Sequence, residues 1–97
     1  MTNKIAPAFL TFAADGVTIK LSTPTELNGT TVDSLHMRTP TVRDMRAATA
    51  ACGSDNEQLE LNLFASLAQV GSKDWENMTL KDYERVKLGY RFLVSES

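Results

Sequence analysis

The sequence predicts an α+β domain: an N-terminal antiparallel β-hairpin followed by a small bundle of three to four short α-helices. Three observations carry that expectation. Val17, Ile19 and Leu21 alternate with Thr18 and Lys20, the period of a strand with one apolar face. Asn28-Gly29 is a strong hairpin signal, because a tight type I′ turn needs positive φ at both central residues. From Thr41 onward the apolar period becomes helical, and residues able to cap orphan amides open each segment.

The first 16 residues are read apart from the domain at 17–97. Pro7 interrupts them, and Ala8-Phe9-Leu10-Thr11-Phe12 suits either a short strand or a loose apolar arm. Two readings stay open here: a mobile leader, or an arm that docks on the core or on a neighbour.

Thr30 to Met37 returns antiparallel to the first strand. A two-residue turn at Asn28-Gly29 sets Leu21 opposite His36 and leaves Leu35 and Met37 on the wrong face. An irregularity is therefore expected, either one extra loop residue or a bulge near Thr23-Pro24, pairing Leu21 with Met37 instead. Pro40 then stops the ladder, having no N–H to donate.

The first helix is expected from about Thr41 to Cys52, with Thr41 and Asp44 at capping-box spacing and Gly53 as its stop. Val42, Met45, Ala48, Thr49 and Cys52 share its apolar face. The second begins at Ser54, boxed with Glu57, and ends near Val70. Its wide apolar arc takes in Leu59, Leu63, Leu67 and Val70 on one side and Leu61, Phe64 and Ala68 on the other. Glu60 falls inside that arc and needs a partner, with Arg38, Arg43 and Arg46 as candidates. Ser72 to Asn77 reads as a single turn anchored by Trp75, with Met78 packing behind it. Thr79 caps the last helix, with Asp82 at its N3 position. Leu80, Tyr83, Val86, Tyr90, Leu93 and Val94 form its main stripe.

Composition narrows the function. The 97 residues make one domain, and a formal charge of −2 with 10 scattered basic residues argues against nucleic-acid binding. Nothing approaches the ~20 consecutive apolar residues of a membrane helix. Lys4 precedes the apolar run Ala6 to Ala14, but Asp15-Gly16 ends it with no cleavage-like site, so no signal peptide is read. The single cysteine, Cys52, has no internal partner, which suits a reducing compartment. The expectation is a soluble, cytoplasmic protein.

Catalytic equipment is not legible. His36, the only histidine, has no acid, cysteine or second histidine at ligand spacing. Cys52 ends a helix on its apolar face, where a thiol is usually a small hydrophobe. Gly29, Gly53 and Gly71 stand alone and form no phosphate loop. No catalytic, metal or cofactor-binding residue is expected. The candidate surface is instead Leu88 and Phe92, an i, i+4 pair off the main stripe, bordered by Lys81 and Arg85 and with Met78 close in sequence. Met78, Arg85, Leu88 and Phe92 are thus the expected partner-binding residues.

The order of these pieces resembles the small tail assembly chaperones of Mu-like and related contractile-tailed phages and prophages. The matching features run from Val17-Thr18-Ile19-Lys20-Leu21 through Pro24, Asn28-Gly29 and Val32 to Leu35-x-Met37-Arg38-x-Pro40-Thr41-Val42-Arg43-Asp44. They continue with Ala47 to Ala51, Gly53-Ser54-Asp55, Glu60-Leu61-Asn62-Leu63-Phe64-Ala65-x-Leu67, Asp82-Tyr83 and Tyr90-x-Phe92-Leu93. Within them, Met37, Arg38, Pro40, Asp44, Glu60 and Tyr83 are taken as structural motif residues. The chain departs from the pattern in its longer, more apolar first 16 residues and in Met37, where the family more often has leucine.

The resemblance implies a non-enzymatic role. Such proteins bind the tape measure protein, keep it soluble before the tail tube polymerises around it, and help recruit tail tube subunits. They work in the host cytoplasm and are absent from the finished virion. A frameshifted longer form is a further partner in many phages, and self-association is open. The alternatives are a minor tail or connector component retained in the virion, or a small regulatory protein-binding domain.

Overall fold

The computed structural model describes residues 6–95. Strands β1 (Leu10–Ala13), β2 (Gly16–Leu27) and β3 (Thr30–Arg38) form one antiparallel sheet in the order β1-β2-β3. Helices α1 (Val42–Cys52) and α2 (Asn56–Ala68), a 3₁₀ turn (Ser72–Asn77) and helix α3 (Leu80–Val94) follow. This is the expected α+β class with one strand more than the hairpin.

The added strand lies in the segment read as a leader. Leu10 pairs with Ile19 and Phe12 with Val17, and Leu10 is buried. Residues 10–13 are therefore an edge strand of the sheet. Gly16 makes the β1–β2 turn feasible: its φ is 156°, and a Cβ there would run into the Met37 carbonyl across the ladder.

At the other turn, Asn28 and Gly29 take φ of 55° and 77°, as a type I′ turn requires. The hairpin starts in the tight register, Leu27 opposite Thr30 and Thr25 opposite Val32. It then shifts, and Lys20 stands opposite Ser34, Ile19 opposite Leu35 and Val17 opposite Met37. The irregularity takes in Thr23-Pro24, but it puts three extra residues on β2, Leu21 to Pro24 opposing Asp33 alone, and so shifts the register the opposite way from the expected pairing. Met37 consequently pairs with Val17 and not with Leu21. Either shift brings Leu35 and Met37 to the buried face; the larger one is held by a long-range contact described below.

The helices lie on that face. Phe64 of α2, Val86 of α3, and Val17, Ile19 and Met37 of the sheet are essentially inaccessible to solvent. Gly89 lets α3 sit down on the sheet: a Cβ there would lie 3.3 Å from Ile19 Cγ1 and 3.4 Å from Leu10 Cδ2. Tyr83 and Tyr90 turn the other way, their rings 6.0 and 4.9 Å from that of Phe64. Trp75 closes this layer, its ring 5.7 Å from Tyr83 and its indole N–H donating to the Leu61 carbonyl at 2.9 Å.

Local differences from expectation have identifiable causes. The α2 cap is Asp55, whose carboxylate accepts from the Gln58 amide at 3.0 Å, and not the Ser54–Glu57 box. That helix ends at Ala68 because Gln69 takes a left-handed conformation, φ 59°. On α1 only Ala48 is buried, while Val42 and Met45 stay exposed. Leu80 and Val94, at the two ends of α3, extend beyond the layers and are 73% and 52% exposed. No helix among the described residues is long and apolar enough to cross a membrane.

Candidate partner-binding surface

Two carboxylates fix the frame around the surface. At the start of α1, Thr41 and Asp44 form the expected capping box, and Asp44 also takes both guanidinium nitrogens of Arg38 at 2.7 Å. The Arg38 hydrogen bonds, helped by the Thr41 amide and hydroxyl, hold the Asp44 carboxyl well below the usual range. This bidentate pair turns the chain out of β3, past Pro40 and into α1. Arg38, Pro40 and Asp44 thus act together as one corner.

The second is Asp82. It stands at the N3 position after the Thr79 cap, and its amide donates to Thr79 Oγ1 at 3.2 Å. Its carboxylate reaches across to the bulge in β2, accepting from the Ser22 amide at 2.8 Å, the Ser22 hydroxyl at 2.7 Å and the Thr23 amide at 3.2 Å. Burial raises its pKa, but the Ser22 and Thr23 donors and the Arg85 charge outweigh this, and the net shift is downward. The bulge amides have no opposing strand partner to satisfy them, so this carboxylate stabilises the irregular register.

Glu60 is not paired with arginine. Tyr83 donates its hydroxyl to Glu60 Oε1 at 3.1 Å, while Arg38 is committed to Asp44. Burial and the Glu60 charge together push the Tyr83 hydroxyl pKa upward, and the same two causes act more weakly on Tyr90.

Of the expected partner-binding residues, Arg85 and Leu88 line one cleft and Leu88 and Phe92 another, while Met78 stands apart. Met78 is buried beside Trp75 in a groove of about 410 Å³ that also takes in Leu61, Leu80 and Tyr83. Leu88 lies two turns or more along α3, lining different clefts. Arg85 is a strut: it donates to the Lys20 carbonyl at 2.8 Å and stacks 4.3 Å over the Phe9 ring. Leu88 and Phe92 do share a shallow apolar cleft, with Arg91 and Val94. Phe92 packs on Phe12 of β1, ring centroids 5.6 Å apart.

Val94 also lines a second cleft with Pro40, Val42, Met45 and Leu63. The two clefts flank the C-terminal end of α3 and share Val94. Of the five large exposed hydrophobics among the described residues, Val42, Met45 and Val94 line these clefts, and Phe12 packs against Phe92, which lines one of them. The sequence reading missed all four as surface residues. The signal for Phe12 was available: Asp15-Gly16 is itself a turn signal, and Leu10 and Phe12 alternate before it. No comparable signal marked Val42, Met45 and Val94, whose spacing is that of a core stripe.

Elsewhere, His36 lies on the outer face of the sheet, with Thr18 Oγ1 3.1 Å from Nδ1 and Asp15 Oδ1 3.5 Å from Nε2. The turn before β2 brings this acid near, which spacing from His36 did not suggest. Cys52 Sγ accepts from Asn62 Nδ2 at 3.0 Å. Among the described residues no group of three or more His, Cys, Asp and Glu could hold a metal ion.

Residues 18–95 match the family model described as phage tail assembly chaperone proteins, E, or 41 or 14. No curated protein and no solved structure matches the chain. The match spans most of the domain, from β2 through α3, and on that basis the chain belongs to the phage tail assembly chaperone family.

Proposed function

We propose that the chain binds the phage tape measure protein during tail assembly, using the two apolar clefts that share Val94 at the C-terminal end of α3 to hold amphipathic helical segments of that client. The observation that carries this reading is that exposed Val42, Met45 and Val94 line one apolar cleft, and that Val94 also lines the Leu88–Phe92 cleft beside it. Exposed apolar surface of this kind costs solubility unless a partner covers it. A helix laid into a groove is recognised through apolar anchors about one turn apart, which the Leu88–Phe92 and Val42–Met45 spacings suit.

On this reading the protein acts in the host cytoplasm, keeps the client soluble, helps recruit tail tube subunits and is absent from the virion. A frameshifted longer form and self-association fit the same surface. Several copies along one client would gain from avidity, so each contact can be weak.

Co-expression with the long helical client, followed by co-purification, tests the proposal. The client is expected to become soluble and to travel with several copies of the chain. A client that stays insoluble and unbound, with the chain found instead in purified particles, would replace this reading with a structural one. Phe92→Ser should cut co-purification; because Phe92 also packs on Phe12, its fold is checked by circular dichroism.

A further inference from the structure

The surface of α3 carries charge as well as apolar area. Lys81, Glu84, Leu88 and Arg91 follow one another at three- and four-residue spacing and line a single face of the helix. The cleft along that face is lined by four cations, Lys81, Arg85, Lys87 and Arg91, against one acid, Glu84. This excess stands on a chain whose formal charge is −2.

The cations differ in what they already do. Arg85 is held by the Lys20 carbonyl and the Phe9 ring. Lys87 lies 3.5 Å from exposed Glu84, an ion pair that solvent weakens. Among the described residues no carboxylate pairs with Lys81 or Arg91. Arg91 also lines the Leu88–Phe92–Val94 cleft, so a guanidinium with no carboxylate partner among the described residues adjoins the apolar surface. On α1, Arg46 follows Met45 and lies one turn beyond Val42, adding a cation beside the second cleft.

We infer that this surface selects an acidic amphipathic helix: a segment of the protein client whose apolar stripe is flanked by Glu or Asp, the stripe seated on Leu88, Phe92 and Val94 and the acids facing Lys81, Lys87 and Arg91. This rests on the client-binding reading and adds the client's charge to it. Complementary charge at a rim governs which partner is accepted and how fast it arrives more than total affinity.

The test uses the full chain and three labelled helical peptides of about 18 residues, long enough to span α3. One carries a leucine stripe flanked by Glu, one the same stripe flanked by Lys, and one the Glu flanks with the leucines replaced by Ser. Fluorescence anisotropy at low and high salt is the readout. The Glu-flanked leucine peptide should bind at least about tenfold more tightly than the Lys-flanked one at low salt, and the margin should shrink as salt screens the charges. The Lys81→Glu/Lys87→Glu/Arg91→Glu variant, folded by circular dichroism, should reverse the preference.

Equal binding of both leucine peptides overturns the charge selection while leaving an apolar groove. Equal binding of the two Glu-flanked peptides, with or without leucines, overturns the amphipathic helix in favour of a general polyanion site. If the native chain co-purifies with its client and the triple variant does so equally well, this inference fails and the chaperone reading stands. A native chain that does not co-purify with the client defeats the parent reading.

Discussion

At its N-terminal end α3 is tied into the domain by a carboxylate with three protein donors: Asp82 holds the Ser22 and Thr23 amides and the Ser22 hydroxyl. At its C-terminal end the same helix leaves Val94 exposed beside Val42 and Met45, and Phe92 is covered on one side by the edge strand residue Phe12. One end is specified by hydrogen bonds of fixed geometry, the other by apolar contacts that tolerate repacking. On the proposed client-binding reading, that division separates stability from binding. Substitutions at the two ends should therefore fail differently.

The largest effect is expected at the tied end. Asp82→Ala removes three hydrogen bonds to a charged acceptor and leaves the bulge amides unmatched, at a cost of about 2–4 kcal/mol in denaturant unfolding. The linkage sign follows from the downward pKa shift. Asp82 is ionised in the folded state below the pH at which an unfolded aspartate protonates, so its contribution is full above about pH 4 and is lost as pH falls further. Asp44 shifts in the same direction and adds to this acid sensitivity. Asp82→Asn should flatten the dependence of stability on pH between about 5 and 2, because one source of it is gone. An unchanged acid profile would show that the clamp does not operate.

A smaller effect is expected midway along the helix. Gly89→Leu forces a side chain into the space taken by Ile19 and Leu10 and should cost about 1–3 kcal/mol by overpacking. Because β1 supplies Leu10, the same change should loosen Phe12 from Phe92. Measured stability close to native would mean that α3 does not rest on the sheet at that point.

The smallest effect on stability belongs to the open end. Val42→Ser with Val94→Ser replaces two exposed side chains and should stay within about 0.5 kcal/mol per site of the native stability. The same double variant should lose most client co-purification. Large loss of stability, or intact client binding, would break the contrast between the ends.

These differences explain what could be read from the chain beforehand. The hairpin, its turn, the α1 capping box, the Trp75 anchor and the Thr79 cap were legible because each depends on residues within a few positions of one another. Local periodicity also demanded an irregularity, in the loop or near Thr23-Pro24. Its size was not legible, because the group that holds it, Asp82, is about 60 positions away and had a sufficient local role at N3. Glu60 illustrates the same limit: its arc demanded a partner, but the tyrosine that supplies one is fixed only by how α2 and α3 pack. The surface was half legible. Leu88 and Phe92 stood off the main stripe, whereas Val42, Met45 and Val94 had core spacing and became surface because the layers end before them.

The most direct test of the binding end is hydrogen–deuterium exchange of the chain alone and mixed with the tape measure protein proposed as its client. New protection is expected at residues 42–45 and 88–94, with little change at 22–23 and 82, which are already held by the clamp. Protection concentrated instead on the Trp75–Met78 groove, or spread over the outer face of the sheet, would contradict the assignment of the client to the C-terminal end of α3.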